Sequence, residues 1–70
     1  MANEIVITCN GSSQSLERDS TIGKLLVLKK VDPACVVVEL NKDIVQKESF
    51  NSIPLRDKDT VEILHFVGGG

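Results

Sequence analysis

The run Glu4-Ile5-Val6-Ile7-Thr8-Cys9 is rich in β-branched residues and stops at Asn10-Gly11, a strong short-range hairpin signal. A strand that must reverse at once can pair only with the next segment of chain. The return arm is therefore expected through Gln14-Ser15-Leu16-Glu17, and the first quarter of the chain is committed to antiparallel sheet. Seventy residues, 41% of them hydrophobic, suffice for one small core.

Beyond the hairpin the periodicity changes. Asp19-Ser20-Thr21 offers capping oxygens, and Ile22, Leu25, Leu26 and Lys29 come next at helical spacing, with Lys29-Lys30 suited to the negative C-terminal end. Gly23 in the first turn costs about 1 kcal/mol relative to alanine, which predicts either close packing against a strand or a later helix start. Asp32-Pro33 ends the connection, because the residue before proline is pushed out of the α region. Val36-Val37-Val38-Glu39-Leu40 reads as a strand buried on nearly both faces. Asn41-Lys42-Asp43 turns the chain into a short strand, Ile44-Val45-Gln46.

Lys47 to Leu55 carries scattered apolar anchors in Phe50, Ile53 and Leu55 and is expected to contain a turn of helix. Arg56-Asp57-Lys58-Asp59 reads as a solvated polar turn. Thr60 to Phe66 is the last strand, with Val61 and Ile63 on one face and Leu64 and Phe66 on the other. Two hairpins around one helix, closed by a final strand, make a mixed sheet of four to five strands curled around that helix. The first and last strands are expected to pair in parallel at its centre.

After Val67 come Gly68-Gly69-Gly70. Glycine averages about 7% of residues, so three together at one chosen place arise by chance roughly a few times in ten thousand. Without Cβ atoms the three make a thin thread. At roughly 3.3–3.6 Å per residue it reaches about 10 Å, far enough to carry a carboxylate into another protein's active site. The division expected is a folded domain over 1–67 and a flexible glycine tail over 68–70.

Thr21-Ile22, Leu25-Leu26, Val38-Glu39-Leu40-Asn41, Ile44-Val45 and Asp59-Thr60-Val61-Glu62-Ile63, leading to the glycines, together carry a resemblance. Over essentially all 70 residues the chain resembles the sulfur carrier proteins of thiamin biosynthesis, the ThiS family of ubiquitin-like β-grasp proteins. The resemblance implies an α+β β-grasp fold. It also implies that Gly70 is adenylated by a ubiquitin-activating-like adenylyltransferase using ATP and then becomes a thiocarboxylate. A sulfur donor protein supplies the sulfur and thiazole synthase receives it. Two positions depart from the family pattern: Lys58 stands where glycine often precedes the aspartate of the last strand, and Lys47 where an arginine commonly follows the short fourth strand.

The residues themselves agree with that chemistry. A terminal carboxylate, with an ordinary pKa near 3.5, is ionised at neutral pH and can attack the α-phosphorus of ATP without a base. No catalytic residue of the chain's own is expected, so it is a protein co-substrate rather than an enzyme. Gly68 and Gly69 are expected inside a partner, with Leu64, Phe66 and Val67 as the docking contact. The small subunit of molybdopterin synthase, a lysine-attached modifier and a plain binding module with an irrelevant tail are the competing readings.

Other classes are excluded by composition. Ten acidic against eight basic residues give a net charge of −2 with two aromatics, which is not the footprint of a nucleic-acid binder. The longest apolar run, Ala34 to Val38, is far short of the ~20 residues that span a bilayer. No metal ligand cluster is present, and no bound cofactor is expected. His65 is expected toward the core side of its strand or its rim. Cys9 and Cys35, both in apolar stretches, are expected to be buried and reduced, in a cytoplasmic protein that is monomeric when free.

Overall fold

A computed structural model describes residues 3–66. Strands β1 (Glu4–Cys9) and β2 (Ser12–Glu17) form the first hairpin, pairing from Glu4 opposite Glu17 to Cys9 opposite Ser12. Asn10 and Gly11 both have positive φ, 49° and 84°, the backbone that a two-residue turn between right-twisted strands requires. Helix α1 (Ile22–Leu28) begins at Thr21, whose hydroxyl accepts from the Lys24 amide at 3.2 Å. Strands β3 (Val36–Leu40) and β4 (Asp43–Val45) form the second hairpin, and β5 (Thr60–His65) closes the sheet. Single turns of 3-10 helix stand at Pro33–Cys35 and Lys47–Ser49.

The strand order is β2-β1-β5-β3-β4, a mixed five-stranded sheet. β1 and β5 are parallel, and every other pair is antiparallel. The expected curled sheet around one helix is thus observed. The inward positions of β1, β3 and β5 meet Ile22, Leu25 and Leu26 of the helix in one core that also holds Leu16, Phe50 and Leu55. Burying one such leucine contributes about 1.5–3 kcal/mol, so the helix is held by its stripe rather than by its seven residues' own propensity.

Four local expectations are corrected. Gly23 approaches a loop rather than a strand: its amide donates to the Phe50 carbonyl at 2.8 Å, and a Cβ there would collide with the Asn51 side chain. Strand β3 is fully buried only at Val36 and Val38 of its inner face, because the helix covers one side of the sheet and leaves Val37 and Glu39 on the other side only partly buried. Cys9 is buried, but Cys35 is an exposed free thiol. The Asp32 carboxylate accepts from the Ala34 amide at 2.9 Å and opens a 3-10 turn at Pro33, so Cys35 precedes the strand instead of lying in it.

The fourth correction concerns Arg56 to Asp59, which is a bonded junction and not merely solvated. Asp57 accepts from the Val6 amide at 2.8 Å, and Asp59 accepts from the Arg56 amide at 2.8 Å. Lys58 sits at φ 74°, a left-handed conformation that favours glycine, while its amide donates to the Val6 carbonyl at 2.7 Å. Among the described residues no helix is long and apolar enough to cross a membrane.

Candidate functional site

The glycine run follows β5 in sequence after Phe66 and Val67, so the contacts that fix β5 up to Phe66 fix the last described residue before it. Val67, Gly68, Gly69 and Gly70 themselves lie outside the described residues. On one side β5 is matched to β3 over five positions, from Leu40 opposite Val61 to Val36 opposite His65. The ladder extends one residue further, since the Phe66 amide donates to the Cys35 carbonyl at 3.0 Å.

On the other side β1 supplies only two register pairs, Thr8 with Thr60 and Cys9 with Val61, before turning away at Asn10. The gap is filled by a side chain. The Asn10 amide nitrogen donates to the Ile63 carbonyl at 3.3 Å, and its oxygen accepts from the Ile63 amide at 2.7 Å. At the start of β5 a second asparagine acts similarly. Asn41 donates its backbone amide to the Thr60 carbonyl at 2.7 Å, accepts from the Thr60 amide at 2.9 Å, and donates to Asp59 at 3.1 Å. Both asparagines have positive φ, 49° and 52°, which this residue type tolerates better than most. In the sequence they read only as turn residues, and an Asn-Gly pair carries no signal that its side chain will cap a distant strand.

Alternation along β5 is as expected. Val61 and Ile63 are buried, whereas Leu64 and Phe66 are about half-exposed on the outer side, at 48% and 53%. Leu64 lies directly opposite Val37, and Ile44, 64% exposed, lies opposite Glu39 on β3. An apolar band therefore crosses the outer face of the sheet toward Phe66. The Lys47 ammonium sits 5.7 Å from the Phe66 ring centroid and donates to the Ala34 carbonyl at 3.2 Å. A cation over the ring face draws the aromatic toward the loop after β4. The strand pattern marks Leu64 and Phe66 but not Ile44 or Lys47, because the β4 register that brings them there is a tertiary property.

His65, placed by alternation on the core side or its rim, is exposed at the end of β5, past the last buried inward residue Ile63. Cys9 is 2% exposed, and burial pushes its thiol pKa above the ordinary 9.0, opposed by Lys29 and reinforced by Glu62, which disfavours the thiolate. Among the described residues no group of three or more His, Cys, Asp or Glu side chains is arranged to hold a metal.

The profile of the ThiS family matches residues 3–70. The chain is 39% identical over 66 residues to the sulfur carrier protein ThiS of Bacillus subtilis (strain 168), covering 93% of this chain and all of that protein. A thiazole synthase of Magnetococcus marinus is 34% identical over 64 residues, 91% of this chain but only 20% of that protein's length. Among solved structures, the crystal structure of the thiamine biosynthesis protein (ThiS) from Geobacter metallireducens superposes with a TM-score of 0.77. The identity is 33%, over 94% of this chain and 100% of that one.

Proposed function

The chain belongs to the ThiS family of sulfur carriers in thiamin biosynthesis, and on that premise we propose that the Gly70 carboxyl is the group on which sulfur is carried. An adenylyltransferase of the ubiquitin-activating kind activates it. The ionised carboxylate attacks the α-phosphorus of ATP, pyrophosphate leaves, and an acyl adenylate forms. Hydrosulfide released from a sulfur donor then attacks the acyl carbon and AMP departs, leaving a thiocarboxylate. ATP is the activating enzyme's substrate, and this chain binds no cofactor of its own.

The observation that carries this reading is the anchoring of β5 up to Phe66, whose backbone bond to Cys35 sets the departure point of residues 67–70. Four residues at roughly 3.3–3.6 Å each reach about 13 Å from that point. A folded body too wide for a narrow channel stays outside, while Gly68 and Gly69 pass through it without side chains. Leu64 and Phe66, together with Val67 next in sequence, are its docking contacts. The chain needs no catalytic residue, because activation and sulfur delivery belong to its partners.

Thiazole synthase is the proposed acceptor. The similarity of this chain to about a fifth of two proteins named thiazole synthase supports the pairing. A carrier tethered to its acceptor meets it at an effective concentration in the millimolar range, which is of use only where the two work together. The ATP requirement fits a cytoplasmic setting.

Intact-mass spectrometry tests the proposal. Incubation with the activating enzyme, ATP and a sulfur donor is expected to replace one oxygen by sulfur in the C-terminal peptide. An unchanged mass beside an enzyme that is active on another carrier contradicts it.

A further inference from the structure

Asn10 is the one asparagine of this chain that is followed by glycine, whereas Asn3, Asn41 and Asn51 precede Glu4, Lys42 and Ser52. That neighbour matters chemically. The amide nitrogen of the following residue can attack an asparagine Cγ, and a glycine there has no Cβ to crowd the approach. Nothing else crowds it at Gly11, since a Cβ built at that position would meet no atom within 4 Å. The turn is also exposed to water.

Sequence and surroundings thus favour loss of ammonia from Asn10, yet the carboxamide is not free to meet the Gly11 nitrogen. Its nitrogen donates to the Ile63 carbonyl at 3.3 Å and its oxygen accepts from the Ile63 amide at 2.7 Å, so both ends are held against β5. Cγ can swing toward Gly11 only when both bonds break.

We propose that Asn10 is a deamidation site gated by its clasp on Ile63, which couples covalent ageing of the first turn to the anchoring of β5. When the clasp opens, the Gly11 nitrogen bonds to Asn10 Cγ, the Cγ–Nδ2 bond breaks, and ammonia leaves with the amide proton. Water then opens the cyclic imide at either carbonyl, giving aspartate or isoaspartate. Neither product restores the clasp. In aspartate a carboxylate oxygen replaces the Nδ2 donor and faces the Ile63 carbonyl, so two acceptors meet with no proton between them. In isoaspartate the backbone gains a methylene inside a turn whose φ values of 49° and 84° set the hairpin register. On that side β5 then keeps only its backbone pairing with β1, which ends at Val61. The reaction needs no partner and does not depend on what the tail carries.

Peptide mapping by mass spectrometry, at one mildly alkaline pH and temperature, compares the native chain with the same chain unfolded in guanidinium chloride. Exchange of NH2 for OH at Asn10 is expected at least about tenfold more slowly in the native chain, an opening cost of about 1.4 kcal/mol, which two hydrogen bonds supply. A smaller ratio overturns the gating. Asn51, followed by Ser52, is the comparison within the chain and is expected to lag behind Asn10 when both are unfolded. Parity there overturns the assignment of the site.

Asn10→Asp reproduces one product directly. Amide exchange at Ile63 is expected to accelerate about fivefold and the melting temperature to fall by a few degrees. Wild-type protein aged until Asn10 is fully converted is expected to show the same changes. Unchanged exchange at Ile63 in either sample overturns the coupling.

Discussion

The side chain of Asn10 serves Ile63 as a neighbouring peptide unit would, accepting from its amide and donating to its carbonyl across 53 positions of sequence. β1 and β5 run parallel for only two register pairs, because β1 must turn back into its own hairpin. The asparagine therefore continues the ladder one step after the strand has left. The left-handed backbone that makes the turn also points the amide at β5. One residue links the first hairpin to the strand that carries the tail.

Replacing Asn10 with glycine preserves the turn, since glycine accepts φ 49° without strain, and removes both side-chain bonds. Each is worth roughly 0.5–1.5 kcal/mol, so a loss of about 1–2 kcal/mol is expected in urea denaturation. Amide exchange at Ile63 is expected to accelerate in the folded protein. Unchanged protection at Ile63 would show that the clasp does not hold the strand.

Lys58 occupies a left-handed conformation at φ 74°, and its backbone amide, not its side chain, makes the bond to Val6. Lys58→Gly is expected to keep that bond and relieve strain, raising stability by roughly 1 kcal/mol. A lower denaturation midpoint would mean that the lysine side chain contributes more than its backbone costs.

Phe66 is half-exposed, and its structural bond is made by the main chain. Phe66→Asp is expected to weaken binding to the activating enzyme at least tenfold and to shift the melting temperature by only a few degrees. A cooperative loss of folding would place the ring in the core instead.

The two cysteines are expected to separate by reactivity. In the native protein a thiol-specific reagent should modify Cys35 quickly and Cys9 only after denaturation, because Cys9 is 2% exposed and its thiol is held protonated. The raised pKa also has a stability consequence. As pH climbs past about 9, the unfolded chain loses the Cys9 proton before the folded one does, so the contribution present at lower pH is lost through the folded-state pKa. Stability measured from about pH 8 to about pH 10.5 should therefore fall more steeply for the wild type than for Cys9→Ala. Parallel curves would contradict the raised value.

The elements and their faces were legible before any tertiary contact was known. Asn10-Gly11 specified a two-residue reversal because glycine and asparagine are the residues that tolerate positive φ, and Thr21 with Ile22, Leu25 and Leu26 specified a capped helix with one apolar stripe. Val61 and Ile63 inward, Leu64 and Phe66 outward, came from the two-residue period of a strand. These properties are local, set by backbone sterics and by which side chains water excludes.

The relations that bear on the site arise only in the assembled sheet. Asn10 clasps Ile63 and Lys47 reaches Phe66 because the strand order places β5 between β1 and β3, with β4 outside them. Cys35 shows the limit most plainly. Its apolar neighbours read as strand, yet the Asp32 carboxylate and Pro33 hold it in a turn and leave the thiol in water. One cause is common to all of these: a periodic pattern records which face of an element is buried, whereas partners tens of residues apart meet only once register is set by packing around one shared core.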